Sequence, residues 1–155
     1  MSAAVGTARR LTGTDFLAPE RGPSAPGSAP ALASAWRAFA AQPLQVAYAR
    51  RFVAGVLAGL RAADDVVLCV SELASNAVLH SSSREPGGCF VVRALVSGAG
   101  RIRAEVEDRG GPWDCESGHD EEHGRGLLIV GGLATRWGIT GGDCGRIAWL
   151  ELDPA

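Results

Sequence analysis

Two stretches of this chain place an apolar residue every three or four positions before the pattern gives way to shorter runs of strand character. Val46, Ala49, Phe52, Val53, Val56, Leu57 and Leu60 fall on one helical face, which predicts an amphipathic helix over about 44–60. Pro43 sits where a first helical turn tolerates it. Val66, Val70, Leu73 and Ala77 form a second stripe, and Asp64 and Asp65 put negative charge at that helix's start, favourable against its dipole. Ser81-Ser82-Ser83 with Pro86-Gly87-Gly88 ends it in a loop. Phe90 to Val96 and Ile102 to Val106 then read as strands about a Gly98-Ala99-Gly100 turn. Leu127, Leu128, Val130 and Leu133 return to helical spacing. Arg136 to Ile139 and Arg146 to Leu152 read as closing strands joined by Gly141-Gly142-Asp143. Trp36 to Ala40 fits a short strand, although the pattern there is ambiguous.

Helices and strands in separate runs predict an α+β fold: a two-layer sandwich whose mixed, mostly antiparallel sheet is covered on one face by helices. Residues 1–31 contain Gly22-Pro23-Ser24-Ala25-Pro26-Gly27-Ser28-Ala29-Pro30, a composition that buries no core, and are expected to form a disordered arm. Residues 32–155 are expected to be one domain. Arg109 to Arg125 is polar, glycine-punctuated and aperiodic. That is long for an idle connection and suits a lid or binding loop.

Composition narrows the chemistry. The 155 residues are 46% hydrophobic and 21% charged with a net charge of −2, as in a globular protein with no nucleic-acid footprint or membrane-surface patch. No apolar run approaches the ~20 residues that span a bilayer, and Arg9-Arg10 lead into no apolar export core, so a cytoplasmic location is expected. All fifteen basic residues are arginine. The absence of lysine excludes a P-loop, a eukaryotic-type protein kinase and Schiff-base catalysis, each of which requires one. Cys69, Cys89, Cys115 and Cys144 lack paired spacing and are read as free thiols, the first two as small core residues.

Three segments carry candidate chemistry. Glu72 and Asn76 lie four apart on the second helix, stacked on one face beside the apolar stripe. Semi-buried acid and amide there are costly unless paired, and a Mg²⁺ ion carrying triphosphate oxygens would satisfy both. Asp108 ends a strand before Arg109-Gly110-Gly111. Its carboxylate suits an exocyclic amine such as that of adenine, and the glycines admit a flat ring. Gly124-Arg125-Gly126-Leu127 is expected to open a helix whose free N–H groups face phosphate, with Arg125 adding a charge-assisted contact. Each segment alone also fits an ordinary polar stripe, turn or helix start.

Taken in order, Glu72-x-x-x-Asn76-Ala77, Asp108-x-Gly110 and Gly124-x-Gly126-Leu127 resemble the N, G1 and G2 boxes of the GHKL (Bergerat-fold) histidine-kinase-like ATPases. Within that family the chain is similar to stand-alone ATP-binding regulators and anti-sigma factor serine kinases, over roughly Trp36 to Leu152. The resemblance implies ATP and Mg²⁺ as ligands, with Asn76 on the metal and Asp108 on the adenine amine. Gly110, Gly124 and Gly126 would shape pocket and lid, and Glu72 would be the catalytic base. It implies phosphorylation of an anti-anti-sigma (STAS-type) protein, a sigma factor as client, and a homodimer. Three positions depart from the family pattern: Gly111 directly follows Gly110, Ile147 stands where relatives carry an adenine-site threonine, and Glu122 replaces an arginine near the γ-phosphate.

Those departures support a second reading, a partner-binding module in which nucleotide is only a conformational ligand or is absent. Cys115-x-x-x-His119-x-x-x-His123 gives a third, a zinc site with no obvious fourth ligand. His80 ends its helix as a partner for the dipole.

Overall fold

The backbone of the domain is a five-stranded sheet in the order β1-β2-β3-β5-β4, with every pairing among the described residues antiparallel. The computed structural model describes residues 31–111 and 121–154. Its elements are β1 (Ala31–Ala40), α1 (Pro43–Val56), α2 (Ala63–His80), a short 3-10 turn (Ser82–Arg84), β2 (Cys89–Ser97), β3 (Ile102–Asp108), α3 (Glu121–Leu133), β4 (Arg136–Gly142) and β5 (Gly145–Leu152). The ambiguous Trp36–Ala40 segment belongs to a ten-residue edge strand. The proposed N-terminal arm lies outside the described residues up to position 30, while Ala31 is already in β1.

The first helix is shorter than its apolar spacing predicts. It ends at Val56, and Leu57 closes it by donating its N–H to the Val53 carbonyl at 3.0 Å. Gly59 then takes φ +84°, a conformation easy only for glycine. α2 starts where its aspartates predict and buries Val66, Cys69, Val70, Leu73, Ala74, Ala77 and Val78.

These side chains meet one face of the sheet. Phe90, Val92, Val106, Val130 and Leu150 complete the core, each fully buried residue contributing about 1.5–3 kcal/mol. Phe39 stacks on Phe90 with centroids 5.5 Å apart and meets Phe52 edge-on at 6.0 Å, tying the edge strand to its neighbour and to α1. Cys69 is wholly buried, and desolvation, reinforced by Asp65 and Glu72, raises its thiol pKa to about 11. That is an inert core thiol. Cys89 is only half-buried at the first position of β2, not a full core residue.

The opposite face of the sheet carries ion pairs. Arg93 bonds Glu107, Arg103 bonds Glu105 (2.8 Å) and Glu151 (2.9 Å), and Arg136 bonds Glu151 at 2.9 Å. Arg103 also lies 4.5 Å over the Trp149 ring. No helix among the described residues is long and apolar enough to cross a membrane.

Candidate nucleotide-binding site

The expected G1 segment leaves β3 at Asp108 and is anchored on two sides. On one side is the serine triplet after α2. Ser83 Oγ accepts the Arg109 N–H at 2.9 Å, and the Ser82 N–H donates to the Gly110 carbonyl at 2.7 Å. On the other side is the β4–β5 turn, where the Asp143 carbonyl accepts the Gly111 N–H at 3.1 Å. Both glycines are required here. Gly110 has φ +69°, and a Cβ on it would lie 2.0 Å from the Gly142 carbonyl oxygen. Gly111 has φ +114° and leaves room only for Ser82, whose Oγ a Cβ would meet at 2.8 Å. The adjacent second glycine, a departure in sequence, therefore has a local physical cause.

Asp108 itself is 5% exposed. Its Oδ1 accepts the Gly110 N–H at 2.6 Å, closing the turn. Its Oδ2 accepts from Arg146 Nη2 at 3.1 Å and Nε at 3.3 Å. Burial pushes the Asp108 pKa up, and the Arg146 guanidinium and the Gly110 N–H only partly offset that. Arg146 is as buried as its partner and was not singled out from sequence. Its place follows from the register, which puts Arg146 opposite Asp108 and Ile147 opposite Glu107. Strand side chains alternate faces, so Ile147 lies on the ion-paired face. The β5 residue beside Asp108 is therefore Arg146.

The expected N and G2 segments meet across the α2–α3 contact. A Cβ on Gly126 would lie 2.9 Å from Glu72 Oε2 and 3.4 Å from Glu72 Cβ. Missing bulk at Gly126 thus admits the carboxylate against the backbone of α3. The helix begins at Glu121, so Gly124 is its fourth residue and Gly126 its sixth. Gly126 lies past the leading N–H groups that lack intrahelical acceptors. Its expected role of offering a free N–H to phosphate gives way to one of close approach. Leu127 packs against the core, while Arg125 is exposed. Asn76 is half-buried one turn along α2 from Glu72.

Cys115 and His119 lie outside the described residues, as does the side chain of His123. Among the described residues no three His, Cys, Asp or Glu side chains group to hold a metal ion. Outside the site, a shallow cleft of about 360 Å³ lined by Ala47, Arg50, Arg51, Ala54 and Val67 contains none of the candidate residues.

A helix-and-sheet layer with a glycine turn held between α2 and the β4–β5 turn defines the class, and sequence comparison identifies it. The chain belongs to the histidine kinase-like ATPase domain family, whose profile matches residues 39–151. It is 31% identical over 94 residues to Blue-light-activated histidine kinase 2 of Erythrobacter litoralis, a match covering 58% of this chain and 27% of that protein. Among solved structures it resembles the RsbU and RsbW domains of a Mycobacterium tuberculosis protein, with TM-score 0.61 and 25% identity, covering 77% of this chain and 32% of that one. The chain spans about a quarter to a third of the length of these relatives.

Proposed function

We propose that this domain binds Mg²⁺-ATP and transfers the γ-phosphoryl group to a serine or threonine of a partner protein of the anti-anti-sigma (STAS) type, thereby controlling a sigma factor. The observation that carries this reading is the conjunction of the glycine-built turn at Asp108 with the Glu72–Gly126 approach, in a chain of an ATPase family. The donor set fits the ligand. Asn76 offers an amide oxygen and Glu72 a carboxylate on one face of α2, hard oxygen donors of the kind Mg²⁺ takes. Asp108 would accept the adenine amine, and Asn76 would hold a Mg²⁺ ion, which would neutralise triphosphate charge. Glu72 takes the proton of the attacking hydroxyl as its oxygen bonds to the γ-phosphorus and ADP leaves with the bridging oxygen. Positioning and charge stabilisation supply most of such a catalytic effect. The likeness to the RsbW-containing structure supports the partner class.

A second reading keeps nucleotide as a conformational ligand in a partner-binding module. Arg146 on Asp108 favours it, because one oxygen of the base-reading acid is already engaged. Calorimetric titration of Mg²⁺-ATP into the protein, followed by phosphorylation of co-encoded STAS partners, separates the two. Saturable binding, loss of Mg²⁺ dependence in Asn76→Ala, and phosphate transfer abolished by Glu72→Gln are the expected results. Binding without transfer to any such partner would leave the module reading standing, and no binding at millimolar ATP would end both nucleotide roles.

A further inference from the structure

An ionised carboxylate accepts through about four lone-pair positions. Three at Asp108 are spoken for: one on Oδ1 by the Gly110 N–H and two on Oδ2 by Nη2 and Nε of Arg146. Both side chains are buried to the same degree, at 5% and 6% exposure, so water does not substitute freely for these donors. The partners face each other in register across β3 and β5, and Gly110 is held by the Ser82 N–H on its carbonyl and by its own N–H on Asp108. Neither the acid nor the turn that it closes has room to rotate.

We infer that Arg146 is a specificity-determining residue: by holding Oδ2 it leaves Asp108 a single lone pair, on Oδ1, unclaimed among the described residues, which accepts a 6-amino N–H and turns away a 6-oxo group. A purine with a carbonyl at that position brings acceptor against acceptor, and the guanidinium on Oδ2 keeps the carboxylate from turning. Sites built to hydrogen-bond one group reject the analogue that cannot supply it far more strongly than apolar pockets reject a change of shape. This inference rests on the nucleotide-binding reading. It adds that selection against inosine and guanine nucleotides resides in the Asp108–Arg146 pair and not in Asp108 alone.

The test is the ratio of ATP to ITP affinity, measured by calorimetry at fixed Mg²⁺, in the wild type, Arg146→Lys, Arg146→Gln and the double variant Asp108→Asn/Arg146→Gln. The double variant replaces two buried charges with a neutral amide pair, so it remains informative if a lone charge at this place prevents folding. The wild type is expected to prefer ATP by at least about 30-fold, Arg146→Lys to keep most of that preference, and Arg146→Gln, with Asp108 intact, to reduce it to within about threefold, chiefly by tightening ITP, the double variant falling at least as far. A change in stability alone would weaken both nucleotides together and would leave the ratio in place. Wild-type ATP binding with a ratio unmoved in every variant overturns the inference and spares the nucleotide reading. Failure of the wild type to bind either nucleotide overturns both.

Discussion

Strands β3 and β5 carry ion pairs on both faces, and the two sets differ in nearly every physical respect. On the helix-covered face the pair Asp108–Arg146 is buried beside the core. On the other face, Arg93, Arg103 and Arg136 share Glu105, Glu107 and Glu151, with half-exposed arginine heads and more than one partner each for Arg93, Arg103 and Glu151. Charges removed from water need their partner, whereas solvated and redundant ones do not. The first pair therefore fixes the geometry of the candidate site, and the second set covers a sheet face. The titrations diverge in the same way. Burial raises Asp108 despite Arg146. At Glu151 burial also pushes upward, but the hydrogen bonds from Arg103 and Arg136 outweigh it and hold the carboxyl below its ordinary value.

The sharpest break of this contrast is Asp108→Ala, which takes a carboxylate partner from a buried guanidinium. It is expected to cost about 3–5 kcal/mol in chemical denaturation and to abolish ATP binding. Next is Gly110→Ala, expected to cost at least about 2 kcal/mol, because it combines a left-handed φ with a Cβ driven into backbone at Gly142. A destabilisation below 1 kcal/mol would show that the turn relaxes and does not fix the acid. On the other face, Arg103→Ala removes two ion pairs and the Trp149 contact. About 1 kcal/mol or less is expected, shrinking further in high salt.

The smallest effect is one of pH. Because the folded-state pKa of Glu151 is lowered, its contribution is complete above the unfolded-state value and is lost as pH falls through the folded one. Asp108, raised, works in the opposite sense: its protonation relieves the folded state as pH falls. Glu151→Gln should therefore flatten the loss of stability below about pH 4. An acid limb of unchanged slope in denaturation curves would assign that loss to other carboxylates.

Much of this was legible in the residues. The stripe Val66, Val70, Leu73, Ala77 gave α2 its buried face, and the order of helical and strand runs gave the layer arrangement, since local periodicity is what elements are made from. The ladder on the open face is also present in the Arg101-x-Arg103-x-Glu105-x-Glu107 alternation of β3, which an apolar period does not report. Ser82 and Ser83 passed as loop punctuation because nothing local announces that they hold a turn some 26 residues away.

What the sequence by itself determined is the family, the elements and the identity of Glu72, Asn76, Asp108 and Gly110 as the residues to examine. Tertiary structure alone decided how they are used. Register across β3 and β5 set Arg146, not Ile147, beside Asp108, since a shift of one residue moves a side chain to the other face. The approach of α3 to α2 turned Gly126 from an offered N–H into space for Glu72. Both outcomes depend on pairings dozens of residues apart along the chain, which no local period encodes.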